Sequence, residues 1–273
     1  MAVILTLDSE KLADTYEKTS NSQFGKGCIL LEKLAIKPGD SVLDIGSGTG
    51  RLGRQALSLL GQTGSFIGID PLAERIKIAN EKNEHANAVF KIGNAEDLSP
   101  FSDDSFDIVY LNSVFHWVLN KEVALLEIFR VLKPGGKVGI ATGAKELNSV
   151  TGMKKIIDNV LKQEPYRQVV RIEDSIHNQH GLTTTQLIQL LTGAGLTVSD
   201  VQVLKTNRVY QTPREVTEFS EASSFGNYLN HVPDSLRAQA KVDIEAALEK
   251  YRTAQGIQFE NYTIFALAEK RRQ

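Results

Sequence analysis

The chain is poor in cysteine, tryptophan and methionine, with one Cys, one Trp and two Met among 273 residues. A single thiol, Cys28, excludes an internal disulfide and any metal site built from several cysteines, and it fits a reducing compartment. Charge of one sign is not in excess either. Thirty-one Lys and Arg against 33 Asp and Glu leave a net charge of −2, so no global field draws the chain to nucleic acid or to an anionic membrane. Its basic run Lys270-Arg271-Arg272 is short and reads as a solvated end. Long apolar stretches are missing: none approaches the roughly 18 residues that cross a bilayer. The start, MAVILTLDSEK, has no basic leader and only the short apolar run Ala2 to Leu5, too little for a secretory signal core. Internal repeats and low-complexity linkers are absent. With 41% hydrophobic and 23% charged residues, the composition is that of a globular protein; a cytoplasmic location, a monomeric or weakly dimeric state and a small-molecule partner are further expectations that composition does not supply.

What is present is a strict alternation of two periods. Phe24, Cys28, Leu31 and Ala35 mark one helix face, ended by Pro38-Gly39. "SVLDIG" (41–46), "SFIGID" (65–70), "AVFKIG" (88–93), "FDIVYLN" (106–112) and "KVGIAT" (137–142) read as strands. "RLGRQALSLLG" (51–61), "LAERIKIANEKNE" (72–84) and the Leu125, Phe129, Leu132 face, stopped by "KPGG" (133–136), read as the helices between them. "TTTQLIQLLTGAG" (183–195) is a capped helix with a Gly exit, and "TVSDVQVLK" (197–205) and "YTIFALAEK" (262–270) complete the strands. Such alternation predicts a doubly wound α/β fold, with a ligand at the carboxyl ends of the strands near the switch point. Residues 145–182 and 206–257 break the rhythm. The second stretch has a helical face (Leu236, Ala240, Ile244, Leu248, Tyr251), and long connections of this kind usually serve function. Both are read as a cap over the site.

The stretch "VLDIGSGTG" (42–50) stops an apolar run at an aspartate and then bares the main chain. Gly46, Ser47, Gly48, Thr49 and Gly50 allow a sharp turn and close approach of a ligand, with free N–H groups at the start of the next helix. Two ligand classes fit. Gly48-x-Gly50-x-x-Gly53, with Asp70 twenty residues beyond Gly50, matches the dinucleotide fingerprint, so a nicotinamide-dependent oxidoreductase competes. Against it, Asp44 suits a cationic ammonium or sulfonium better than a pyrophosphate. Asp70 closes strand two, placed for both hydroxyls of a ribose. "GNAEDL" (93–98) follows strand three and offers polar contacts to an adenine edge.

These motifs together resemble class I S-adenosylmethionine-dependent methyltransferases, from about Tyr16 to Thr142, with an echo in the final strands. "VLDIGSGTG", "IGIDP", "GNAED", "FDIVYLNSVFHWV" and "LKPGG" occur in that family's order and spacing. The resemblance implies a Rossmann-like, mostly parallel seven-stranded sheet with the last strand antiparallel and a helical cap. It also implies S-adenosylmethionine as cofactor, with S-adenosylhomocysteine as product. Tyr16, Asp44, Gly46, Ser47, Gly48, Gly50, Asp70, Pro71, Asn94, Ala95, Glu96 and Asn112 are the implied cofactor contacts. The implied organisation is 1–144 as N-terminal helices and cofactor-binding core, 145–182 and 206–257 as cap insertions, 183–205 as core helix and strand, and 258–273 as the last core strand.

Within the family, "FHWV" and the long insertion before the last strand look like the branch that methylates small carboxylic acids (trans-aconitate, malonyl-carrier and juvenile hormone acid methyltransferases). That likeness implies substrate contacts at Gln23 and Trp117. Tyr210, Phe225 and Tyr228, with Phe219, read as an apolar lining or as ordinary core. A carboxylate is already ionised at neutral pH and needs no base; a hydroxyl or activated carbon needs one, for which His116 is placed by position. His116 also reads as a helix-start residue, Trp117 as core, and Gln23 as a cap. Arg167, Arg171 and Arg208 read as surface cations or as a welcome for an anionic substrate. His85 reads as surface. His177-x-x-His180 has helical spacing but no third ligand nearby, so no metal is expected. Arsenite methylation needs several thiolates, which one Cys28 does not supply. The expectation is O-methylation of a small carboxylate or hydroxyl, with N- or C-methylation as the alternative.

Overall fold

The computed structural model describes residues 4–148, 152–175 and 181–272. In chain order the main elements are α1 (Glu10–Thr19), α2 (Asn21–Leu34), β1 (Ser41–Ile45), α3 (Arg51–Leu60), β2 (Ser65–Asp70), α4 (Ala73–Glu81), β3 (Ala88–Ile92), β4 (Phe106–Asn112), α5 (Lys121–Val131), β5 (Leu132–Gly143), α6 (Lys145–Asn148), α7 (Met153–Leu161), α8 (Thr184–Gly193), β6 (Thr197–Tyr210), α9 (Pro213–Ser223), α10 (Asp234–Glu249), β7 (Arg252–Thr253) and β8 (Gly256–Glu269). Contacts divide the chain into two compact units. A sheet unit comprises Asn21–Gly143, Leu182–Leu204 and Thr263–Gln273, and a helical unit comprises Met1–Ser20, Ala144–Gly181 and Lys205–Tyr262.

The sheet has the order β3-β2-β1-β4-β5-β8-β6, with β7 added to β8. Strands β1 to β5 pair in parallel, as the alternating pattern implies, and β8 lies antiparallel to β5, as the family resemblance implies. Helices on both faces make the central strands largely apolar, Asp44 excepted. Val42, Leu43 and Ile45 of β1, and Ile108, Val109, Tyr110 and Leu111 of β4, are all buried. On one face α3 lays Leu52, Ala56, Leu57 and Leu60 against Phe66 and Phe90. Helix α8 starts where TTTQ predicts. The Thr183 side chain accepts from the Gln186 N–H, and the Gln186 side chain accepts from the Thr183 N–H.

Strand β5 begins five residues before the expected Lys137, directly after α5. Leu132 pairs with Phe106, and the register then shifts, so that Lys137 pairs with Ile108. Lys133-Pro134-Gly135-Gly136 is therefore an irregularity inside the strand and not a turn ahead of it. Gly135, at φ +84°, supplies the bend.

The helical unit has its own apolar core, in which Ile157, Leu161, Tyr166, Phe219, Ile244 and Leu248 are buried. Helix α10 buries Ala240, Ile244 and Leu248 as the spacing predicts, but ends at Glu249, and Tyr251 lies beyond it, 56% exposed. Helix α1 packs on α9. The start of the chain is fastened by Asn227, whose amide donates to the Ile4 carbonyl and whose oxygen accepts from the Ile4 N–H, both at 3.0 Å. Strands β6 and β8 run further toward each other in sequence than expected, to Tyr210 and from Gly256, which shortens the second connection. No helix among the described residues is long and apolar enough to cross a membrane.

Candidate active site

The order of strands reverses at β1, which has β2 on one side and β4 on the other. In open α/β sheets ligands collect beyond the carboxyl ends of the strands at such a switch. The loop leaving β1 there takes φ values that side chains resist, +77° at Gly46, +54° at Gly48 and +73° at Gly50. The Gly46 and Ser47 N–H groups both donate to the Ile69 carbonyl, at 2.7 and 2.9 Å. The Gly48 N–H donates to Asp70 Oδ2 at 2.9 Å, and the Leu72 N–H donates to Asp70 Oδ1 at the same distance. Asp70, 6% exposed at the end of β2, thus braces the glycine loop and the approach to α4. Two of a carboxylate's roughly four acceptor positions are used in this way. Pro71 beside it is exposed.

Two of the loop glycines are bare for an internal reason. A Cβ on Gly46 would sit 2.2 Å from Val114 Cγ2, and one on Gly50 would lie 3.0 Å from the Phe90 ring. At these positions the chain's own side chains, and not a ligand, exclude a Cβ. The Ser47 hydroxyl is buried without a hydrogen-bond partner.

Asp44 lies within the sheet, in register with Tyr110 of β4. It is 2% exposed, and the Tyr110 hydroxyl donates to its Oδ2 at 2.8 Å. Burial pushes the Asp44 carboxyl from its ordinary 3.8 up to about 8; the Tyr110 hydrogen bond opposes this and the negative charge of Asp70 adds to it. Burial also raises the Tyr110 hydroxyl, with Asp44 adding to the shift. Tyr110 is a site residue that the sequence hides. In the run "FDIVYLN" it reads as one more core aromatic, and only the pairing of β1 with β4 shows its partner.

Past β4 the chain turns sharply, with Ser113 at φ +61°, into a short 3-10 turn over Phe115–Trp117. Asn112 Nδ2 donates to the Gln23 carbonyl at 3.0 Å. The side-chain oxygens of both residues, Asn112 Oδ1 and Gln23 Oε1, are buried without partners. His116 Nδ1 lies 3.4 Å from the Thr142 hydroxyl at the end of β5, and the His116 and Trp117 rings are 4.9 Å apart. Thr142, 1% exposed, is a second residue the motif reading passed over. After β3, Asn94 Oδ1 accepts from the Glu96 and Asp97 N–H groups at 2.9 and 3.1 Å, closing a turn around the buried Ala95. The Glu96 carboxylate accepts from the Asn120 N–H ahead of α5. The oxygen of Asn94 therefore shapes its own loop.

Gln23, Asp44, the glycine loop, Asp70, Pro71, Asn94, Ala95, Glu96, Asn112, His116 and Trp117 all belong to the sheet unit. Tyr16, Tyr210, Phe225 and Tyr228 belong to the helical unit. Tyr210 is 5% exposed and packs on Phe219 and Phe259 with ring centroids 6.2 Å away in each case. Burial raises its hydroxyl to about 12. Tyr228 is 2% exposed with its hydroxyl unpartnered; burial raises its pKa, and the charges of Glu221 and Glu245 add to the shift. Phe225 is half-buried at φ +58°. Among the described residues no group of three or more His, Cys, Asp or Glu is arranged to hold a metal ion. His177 and His180 lie outside the described residues.

A parallel sheet with one antiparallel strand, a glycine loop after its first strand and an acid closing its second define a Rossmann-like methyltransferase domain. Residues 36–212, more than half of the 273, match the family model described as a methyltransferase domain, and the chain belongs to that family. It is 30% identical over 189 residues to the arsenite methyltransferase of Aquipseudomonas alcaligenes, covering 65% of this chain and 53% of that one. It is 34% identical over 149 residues to the demethylmenaquinone methyltransferase of Lactobacillus johnsonii, covering 51% and 61%. The chain thus spans little more than half the length of these curated relatives. Among solved structures, the YcgJ protein from Bacillus subtilis superimposes with a TM-score of 0.62 at 19% identity, over 91% of this chain and 99% of that one, a likeness of fold.

Proposed function

We propose that the protein transfers a methyl group from S-adenosylmethionine to an oxygen of a small molecule, a carboxylate first and a hydroxyl second. The observation that carries the cofactor reading is Asp70. It is buried, clamped by the Gly48 and Leu72 N–H groups, and set at the switch point. Vicinal ribose hydroxyls are the donors that a carboxylate so held would accept. The remaining donor set fits as well. Gly46, Gly48 and Gly50 would lie under the methionine portion, and Asn94, Ala95 and Glu96 would meet the adenine. Ser47, Gln23 and Asn112 each have a buried oxygen that lacks a partner. Asp44 is a buried carboxyl that a neighbouring cation would ionise and that a pyrophosphate would not welcome, which weighs against a nicotinamide ligand.

Bound S-adenosylmethionine supplies an electrophilic methyl on a sulfonium, and the protein's part is alignment and exclusion of water. Holding acceptor and methyl in line is worth roughly 7–11 kcal/mol. A carboxylate acceptor asks nothing more, because it is ionised at neutral pH. For a hydroxyl, His116 would take the proton, with Thr142 fixing its ring. The likeness to a demethylmenaquinone methyltransferase favours a second reading, transfer to an activated carbon, which also needs His116 as base. Transfer to arsenic is disfavoured by the lone Cys28. Titration calorimetry with S-adenosylmethionine, S-adenosylhomocysteine and NAD tests the cofactor; binding of NAD alone would overturn the reading. Single-turnover methylation by His116→Ala tests the acceptor. A carboxylate should be methylated at nearly the wild-type rate, whereas loss by about a hundredfold or more marks a hydroxyl or carbon acceptor.

A further inference from the structure

Helix α5 grips the loop that leaves β3 at two points, about two helical turns apart. Ahead of the helix, the Asn120 N–H donates to the Glu96 carboxylate. Farther along, Glu127 and Arg130 take both main-chain polar groups of Leu98. Glu127 Oε2 accepts from the Leu98 N–H at 3.0 Å, and Arg130 Nη2 donates to the Leu98 carbonyl at 2.9 Å. The two side chains also hold each other. Arg130 Nε and Nη2 donate to the two Glu127 oxygens, each at 2.8 Å, the bidentate arrangement that fixes both groups. Arg130 Nη1 donates to the Phe101 carbonyl at 2.9 Å and to Asp103 Oδ1 at 2.8 Å. Every N–H of the guanidinium thus has an acceptor within the chain, and none is left for a ligand. The Arg130 hydrogen bond holds the Glu127 carboxyl below its ordinary value, so the pair stays charged.

An ordinary surface ion pair contributes little. This one differs in what it holds, which is the main chain of one short loop. Leu98 is fully buried at the far end of that loop. At the near end, Asn94 Oδ1 accepts from the Glu96 and Asp97 N–H groups. Between these anchors lie Ala95, Glu96 and Asp97, in the segment that the proposed function sets against the adenine. Main-chain groups tell one base edge from another only where the backbone is fixed, because a loop free to shift presents a donor where an acceptor stood. We infer that Glu127 and Arg130 are positioning residues for the base of the cofactor, acting through the main chain of Leu98 on the 94–98 loop. This inference rests on the reading of S-adenosylmethionine as cofactor and adds the residues that set the selectivity for adenine.

The test titrates S-adenosylhomocysteine and S-inosylhomocysteine into the full chain by calorimetry. Hypoxanthine carries an acceptor where adenine has its amine and a donor where adenine has N1, so a fixed loop rejects it. The wild type should bind the adenine compound about tenfold tighter or more. Arg130→Gln and Glu127→Ala should cut that ratio to about threefold or less. Glu127→Gln keeps an acceptor for Leu98 and should retain most of the ratio, whereas Arg130→Lys lacks the planar fork and should behave as Arg130→Gln. A purely structural pair would lower the urea midpoint and weaken both compounds alike, so an unchanged ratio in Arg130→Gln or Glu127→Ala overturns the inference. If Arg130→Gln shows no cooperative urea transition, Glu127→Ala against Glu127→Gln decides by the same ratio. Equal binding of the two compounds by the wild type would overturn the inference and leave the cofactor reading standing. Binding of neither would overturn the cofactor reading and the inference with it.

Discussion

The two units differ in how they hold their buried titratable groups. In the sheet unit the buried carboxyl groups of Asp44 and Asp70 are answered by protein donors, a tyrosine hydroxyl for one and two main-chain N–H groups for the other. In the helical unit Arg208 is answered by ring faces and one carbonyl, and Tyr228 by nothing. The two carboxyl groups of the first region are thus held by the chain's own donors, while the side-chain oxygens of Gln23, Ser47 and Asn112 around them stay unpartnered. In the second region the cation has no counter-charge among the described residues, and an aromatic face takes that place.

Variants that attack the sheet unit should cost most. Gly46→Val sets a β-branched residue at φ +77° with its Cβ 2.2 Å from Val114. It should destabilise the chain by about 3–5 kcal/mol, read from the urea midpoint. Asp70→Ala removes the brace on the glycine loop and, on the proposed function, the ribose acceptor, so S-adenosylmethionine affinity should fall by about 1.5–3 kcal/mol on calorimetry. Unchanged affinity would remove Asp70 from the site. Tyr110→Phe leaves Asp44 buried with one donor fewer and should cost about 1–2 kcal/mol of stability.

Asp44 gives the comparison a pH dependence. Its folded-state value near 8 lies above the ordinary 3.8, so the folded chain holds a proton there that the unfolded chain has released. Its favourable contribution is complete below the ordinary value, declines as pH rises, and is gone above about 8. Asp44→Asn should remove that decline, so the variant gains on the wild type as pH is raised across the window. A parallel pair of urea-midpoint curves would sink this account. The smallest effect belongs to the helical unit. Tyr228→Phe removes an unanswered hydroxyl and should leave stability unchanged or raise it by up to about 1 kcal/mol. A loss as large as that of Tyr110→Phe would erase the contrast between the units.

Legibility in the sequence follows the same division. Strands β1 to β4 and the helices between them were readable because each is a short apolar run or a 3.6-residue face punctuated by Gly, Pro or a cap. The TTTQ box fixed the start of α8. The glycine loop and Asp70 were readable because they lie in contiguous motifs, and the family match is of that same stretch. What was not readable depends on pairing across the chain. Nothing local marks Tyr110 as the partner of Asp44, or Thr142 as that of His116. Nor does local sequence show that β5 swallows Lys133-Pro134-Gly135-Gly136, since a shift of register on β4 decides it. In the helical unit Arg208 and Phe219 were visible as a cation and an aromatic, but the stacking that relates them is a tertiary fact.

Val114 filling the space above Gly46 ties two separated positions into one heritable unit. A lineage that gained a side chain at 46 would keep its fold only by shrinking residue 114 in the same step. The turn holding His116 and Trp117 follows directly after it. A change in the glycine loop would therefore be transmitted to that turn, and a change in the turn would be felt by the loop.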